Sequence, residues 1–103
     1  MQMMIGKGAI VLNNRRVLDG DYHLVRSARG SQPAAWSGYF DVSGQSRDSL
    51  TEIFRWFDAL PAGLLFTAEN GGALPVRQLK REQFDFDAGE ARFTLVFAPT
   101  AKE

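Results

Sequence analysis

Residues 49–60 read Ser-Leu-Thr-Glu-Ile-Phe-Arg-Trp-Phe-Asp-Ala-Leu, and this stretch organises the fold that the sequence predicts. Its apolar residues recur at helical intervals and so share one face of a helix; they are Leu50, Ile53, Phe54, Phe57 and Leu60. Ser49 and Glu52 have the spacing of a capping box, and Pro61 and Gly63 end the pattern. We expect a helix at about residues 48–60 whose apolar face seeds the core.

The clearest strand is predicted at residues 35–42, where apolar and polar residues alternate. Trp36, Phe40 and Val42 fall on one face. Gly38 lies between the first two, which suggests a close approach by another backbone or a large ring.

Two turns compete for the register of the first hairpin. Asn13-Asn14 follows the apolar run at residues 9–12, and asparagine tolerates positive φ. Asp19-Gly20 is the stronger turn signal and precedes a strand at residues 21–26. We expect a turn at Asp19-Gly20 whichever register the hairpin adopts.

The C-terminal part predicts a second hairpin with a row of phenylalanines against the helix. Its apolar positions are Phe84, Phe86, Phe93, Leu95 and Phe97, with a turn at Ala88-Gly89. Pro75 indicates an edge strand or a bulge at residues 73–79, because proline donates no ladder hydrogen bond. Residues 27–34 and 69–72 have the composition of a loop and a turn, and residues 99–103 form a tail.

These elements predict one α+β domain over residues 1–103. Six to seven short antiparallel strands would curl into a small barrel or roll packed on one central helix. A pure sandwich is the alternative architecture.

Composition narrows the classes of function. Twelve basic and twelve acidic side chains cancel, which argues against a polyanion-binding protein. The chain has no cysteine, so thiolate metal sites are excluded. It shows no signal-peptide pattern and no apolar run long enough to span a membrane. We expect a cytoplasmic protein without membrane contact.

No pattern of catalytic residues stands out. His23 is the only histidine, and nothing in its neighbourhood marks a triad. Asp85, Asp87 and Glu90 surround a turn but lack the ligand spacing of a calcium loop. Phosphate-binding and nucleophile-elbow motifs are missing. We therefore expect no enzyme activity, no cofactor and no metal.

One alternative is a small β-barrel that binds nucleic acid or a nucleotide through a basic and aromatic strand face. The candidate residues are Arg15, Arg16, Arg26 and Tyr22. Arg15-Arg16 followed by Asp41-Val42-Ser43 also partly resembles the two motifs of PilZ-type cyclic-dinucleotide domains. The arginines are adjacent rather than four apart, and Ser46 stands where that family has glycine.

The leading hypothesis is a non-enzymatic protein-interaction module. Trp56 lies at the flank of the apolar helix face, where its ring would be only partly covered, and tryptophan is enriched among residues that dominate interface energy. The candidate interaction residues are Trp56, Tyr39, Arg29 and Arg55. We expect a protein partner or self-association, as a subunit of a larger assembly or a small inhibitor or adaptor of bacterial or phage accessory type.

Overall fold

The computed structural model describes residues 2–27, 35–68 and 73–97. Here six antiparallel strands close into a barrel in the order β1-β2-β3-β6-β5-β4. The strands are β1 (Gln2–Leu12), β2 (Arg15–Ser27), β3 (Ala35–Val42), β4 (Leu65–Ala68), β5 (Ala73–Asp85) and β6 (Glu90–Phe97), and helix α1 (Arg47–Arg55) lies between β3 and β4. The predicted small antiparallel barrel with one helix is confirmed, and the sandwich alternative is wrong.

Some sequence predictions fall on residues that the structure does not describe. Apart from Ser27, the loop expected at residues 27–34 lies outside the described ranges. So do the turn expected at residues 69–72 and the tail at residues 99–103.

Aromatic side chains fill the core of the barrel. Phe40 is fully buried, and its ring centroid lies 5.6 Å from that of Phe93 and 6.0 Å from that of Phe66. Tyr22 meets Phe66 edge-on at 5.2 Å. Burying a ring of this size stabilises the fold by about 1.5–3 kcal/mol, so a few such residues dominate the core.

Helix α1 begins earlier than the sequence suggests. Ser46 is the N-cap, and its Oγ accepts a hydrogen bond from the backbone N–H of Ser49 at 3.1 Å. The Ser49 hydroxyl instead donates to Gln45 Oε1 at 2.8 Å. The predicted capping box at Ser49 is wrong, because a serine three residues upstream satisfies the first turn.

The helix also ends earlier, at Arg55 rather than Leu60. The backbone N–H of Trp56 bonds the carbonyl of Ile53 at 2.9 Å, and Asp58 bonds Arg55 at 3.1 Å. Each of these bonds joins residues three apart, so the chain forms a tight turn before Pro61. Leu50 and Ile53 remain buried as predicted.

The predicted row of phenylalanines packs against the helix only in part, since Phe57 follows the end of α1 and Phe97 packs on Phe66 of β4. The ring of Phe54 lies 5.3 Å from that of Phe84, and the ring of Phe57 lies 6.1 Å from that of Phe93. The backbone N–H of Gln45 bonds the carbonyl of Gly89 in the hairpin turn at 3.0 Å. These contacts fix α1 beside the turn end of the β5–β6 hairpin.

The first hairpin turns at Asn13-Asn14, where φ is 55° and 64°. Positive φ at both residues is the geometry of a tight hairpin turn. The prediction of a turn at Asp19-Gly20 is wrong, because both residues lie within β2 and pair with Ala9 and Gly8. A Cβ on Gly20 would collide with the carbonyl oxygen of Asp41 on β3. Glycine is needed there for close packing rather than for turning.

The other two backbone predictions are confirmed. A Cβ on Gly38 would collide with the carbonyl oxygen of His23, so β2 and β3 approach closely at this position. Pro75 does not mark a free edge, since it pairs with Leu65 of β4. The bulge alternative holds instead, because the β5–β6 register shifts between Val76 and Gln78.

Candidate interaction surface

The strand registers arrange the outward side chains of the barrel into three rows across β1, β2, β3, β6 and β5. The Met3 row contains Met3, Val25, Ser37, Val96 and Gln78. The Ile5 row contains Ile5, His23, Tyr39, Thr94 and Lys80. The Lys7 row contains Lys7, Asp21, Asp41, Arg92 and Gln83. Alternate residues on the same strands face the core, as a strand period of two requires.

Large apolar side chains stand exposed in the first two rows. Ile5 is 68% exposed, Met3 is 60% exposed, and Tyr39 is 42% exposed. Val25 and Val96 add partly covered apolar area beside them. Adjacent exposed apolar residues on one sheet face are typical of an interaction site, whereas isolated ones are ordinary.

The Lys7 row borders this apolar area with paired charges. Lys7 lies 3.3 Å from Asp21, and Arg92 donates two hydrogen bonds to Asp41, at 2.7 and 3.1 Å. The hydrogen bond and the negative charge of Asp41 raise the pKa of Arg92 above its ordinary value. The Arg92 guanidinium also lies 4.8 Å from the ring centroid of Tyr39, a cation–π contact that holds the ring.

Trp56 lies in the core. It is 5% exposed, so the prediction that its ring is only partly covered is wrong. The helix ends at Arg55, and the turn that follows carries the ring inward with Leu50 and Ile53. Its indole N–H is buried without a hydrogen-bond partner among the described residues.

The other candidate interaction residues are distributed differently. Tyr39 lies in the Ile5 row, as described above. Arg55 is the exposed last residue of α1 and lies 3.8 Å from Glu52, outside the three rows. Arg29 lies outside the described residues. The structure therefore places only Tyr39 of the predicted set on the exposed apolar surface.

The residues of the nucleic-acid alternative do not form one face. Tyr22 is buried against Phe66, so the prediction that its ring can stack on a base is wrong. Arg15 and Arg16 open β2, while Arg26 lies near its other end, about 33–36 Å away at the usual rise of a strand. Nucleic-acid binding stays a prediction from the sequence.

Two adjoining grooves beside the Lys7 row carry more carboxylates than cations. One, of about 450 Å³, is lined by Asp21, Asp41, Asp85 and Glu90 against a single cation, Arg92. The other, of about 530 Å³, is lined by Asp19, Asp21 and Asp41 against Lys7 and Arg16, and Arg16 lies 3.1 Å from Asp19. The excess of carboxylates over cations, three in the first groove and one in the second, disfavours phosphate groups there, most clearly in the first.

The residues considered above for catalysis or metal binding are His23 and the carboxylates of the β5–β6 turn. His23 is exposed between Ile5 and Tyr39. Asp85 accepts hydrogen bonds from the backbone N–H groups of Asp87 and Ala88 in the hairpin turn. In residues 2–27, 35–68 and 73–97, no three histidine, cysteine, aspartate or glutamate side chains could together hold a metal ion.

Met3 and Ile5 are the surface residues that sequence reasoning missed. The apolar run that predicts the first strand covers residues 9–12 alone. In the structure β1 continues through Gly8 and Gly6 to Gln2. The sequence does contain a pattern that indicates this strand, because the large residues Met3, Ile5 and Lys7 occupy every second position.

Comparison with family models, with curated proteins and with solved structures finds no match for this chain. In the part of the chain that the structure describes, no helix is long and apolar enough to cross a membrane.

Proposed function

We propose that this protein is a non-enzymatic protein-interaction module that docks on protein through the exposed apolar surface of the Met3 and Ile5 rows. It acts as a subunit of a larger assembly or as a small inhibitor or adaptor. The observation that carries the proposal is the exposure of Ile5, Met3 and Tyr39 on one face of the sheet.

The composition of this surface suits a protein partner. Its centre is apolar and holds an exposed tyrosine, while paired charges of the Lys7 row form a border. Protein interfaces commonly combine an apolar centre rich in aromatic residues with a polar rim. Tyr39 is the expected anchor, since Arg92 restrains its ring before any partner binds.

A photo-crosslinking experiment tests the proposal. A benzophenone amino acid replaces Tyr39 in one variant and the exposed helix residue Glu52 in a control, and both proteins are produced in cells of the natural host. We expect a discrete protein adduct from position 39, none from position 52, and loss of the adduct when Ile5→Lys is added. Equal adducts from both positions, or no protein adduct from position 39, would contradict the proposal.

A further inference from the structure

In residues 2–27, 35–68 and 73–97, the N-terminal part of β1 has a neighbouring strand on one side and none on the other. On one side β1 pairs with β2 from Gln2 to Leu12. On the other side it pairs with β4 only from Gly8 to Val11. Among the described residues, no strand pairs with Gln2–Lys7 on that second side. Unpaired backbone N–H and C=O groups on an edge form a template for another strand.

This edge lacks most of the features that block pairing. Natural edge strands are protected by proline, by bulges or by several charges. Gln2–Gly6 contains no proline and no charge, and the only register shift in the β1–β2 pair lies farther along, between Ile10 and Val11. Lys7 is the single charged residue of the stretch Gln2–Lys7, and its ammonium group is paired with Asp21.

We propose that the partner is a second copy of this chain and that two copies pair their β1 edges antiparallel across a two-fold axis at Met4. The inference rests on the proposed function, because it names the partner of the same surface. It is a β-augmentation in which each copy supplies the strand that the other lacks.

The side-chain pattern of β1 is self-complementary in this register. With Met4 opposite Met4, Met3 of one copy faces Ile5 of the other on the outer side of the sheet, and Ile5 faces Met3. Directly opposed apolar side chains stabilise an antiparallel pair, and no like charges face each other between Gln2 and Gly6.

The register also joins the exposed rows of the two copies. The Ile5 row of one copy continues into the Met3 row of the other, so Ile5, Met3 and Val25 become one apolar band, which His23 separates from Tyr39. A shift that places Ile5 opposite Ile5 would put Met3 beside Lys7 and break the band. A shift by a single residue would turn outward side chains inward.

Light scattering during size-exclusion chromatography tests the association, from low concentration up to about 1 mM. We expect the mass to rise from 11.5 kDa to twice that value. Ile5→Lys should keep the protein monomeric, because it places two cations within the pairing stretch. Val17→Lys is the matched control, since Val17 is 42% exposed on the same hairpin but lies outside that stretch; it should leave the dimer intact.

Cysteine crosslinking tests the register, and the cysteine-free chain gives a clean background. We expect a mixture of Met3→Cys and Ile5→Cys proteins to form a mixed disulfide under mild oxidation, because opposed residues of antiparallel strands lie within disulfide reach. Val17→Cys should form none. Efficient self-crosslinking of Ile5→Cys without the mixed product would overturn the axis at Met4.

Two results would overturn the inference itself. One is a monomer at every concentration, and the other is a dimer that Ile5→Lys does not weaken. If the photo-crosslink from position 39 then still captures a different protein, the proposed function stands and only self-pairing is rejected. If that adduct is missing as well, both proposals fail.

Discussion

The β5–β6 hairpin turns its phenylalanines towards the core and α1, whereas the β1–β2 hairpin carries large apolar side chains on its outer face. Phe84 is partly covered and contacts Phe54 and Phe57 at 5.3 and 5.5 Å. In the described part of the chain, four large apolar residues are exposed, and three of them, Met3, Ile5 and Val17, lie on the β1–β2 hairpin.

The difference shows which apolar surface the single chain can cover. Guanidinium groups shield the rings near the second hairpin: Arg81 lies 4.8 Å from the ring centroid of Phe54, and Arg47 lies 5.9 Å from that of Phe86. In the described part of the chain, Met3 and Ile5 in the N-terminal half of β1 stay exposed. Apolar content alone therefore does not distinguish a face that packs within the fold from a face that can bind a partner. The distinguishing property is whether other side chains cover the face.

The largest expected difference in stability is between alanine substitutions of one apolar residue in each hairpin. Phe93 is fully buried between Phe40 and Phe57, so Phe93→Ala should lower the free energy of unfolding by about 3–5 kcal/mol. Ile5→Ala should change it by less than about 0.5 kcal/mol. Urea denaturation at low protein concentration measures both values without a contribution from self-association. Similar losses for the two variants would remove the distinction between the hairpins.

Substituting Gly20 in the first hairpin should lower stability by a smaller amount. Gly20→Ala should cost about 1–3 kcal/mol, because the added Cβ overlaps the carbonyl oxygen of Asp41 and lies 2.9 Å from the ring of Phe40. Asp19→Ala, the neighbouring exposed position, should cost less than about 0.5 kcal/mol. Denaturation gives the two values, and shifted NMR signals of the Phe40 ring locate the strain. An unchanged stability for Gly20→Ala would mean that the strands are looser here than described.

Substitutions in the turn of the first hairpin should have the smallest effect on stability. Asn14 has φ of 64°, so Asn14→Ala should cost about 1 kcal/mol, whereas Asn14→Gly should be within a few tenths of a kcal/mol of the parent. Thermal unfolding of the three proteins checks this order. Equal melting temperatures for alanine and glycine would contradict the left-handed geometry of the turn.

Alternation of apolar and polar residues was enough to predict β3 and the turn end of the β5–β6 hairpin, because each has one face towards the core; it did not predict that β5 runs unbroken from Ala73 to Asp85. It failed in β1, where Met3, Met4 and Ile5 are apolar on both faces and glycines interrupt the run. The alternation of Met3, Ile5 and Lys7 is obscured because Met4 between them is apolar as well. The apolar residues on the outer face of β1 also make that face available for docking.

Local sequence signals predicted the wrong conformation at two positions. Asp19-Gly20 has the composition of a turn, yet the need for a small residue against β3 explains its glycine. On a helix that continued to residue 60, Trp56 would lie at the flank of the apolar face. The helix instead ends at Arg55, and the ring enters the core. The first outcome depends on a strand that is distant in the sequence, and the second on the tight turn that ends α1 at Arg55.

The short strand β4 gives the barrel a dynamic weak point. In the described part of the chain it is held by four residue pairs with β1 and three with β5, whereas β1 and β2 share eleven. Segments with few ladder hydrogen bonds open locally at lower free energy than the rest of a fold. Detachment of β4 would expose its buried Phe66, convert the closed barrel into an open sheet and make nearly the whole length of β1 an edge. The same fluctuation that loosens the monomer therefore enlarges the template that another strand can occupy.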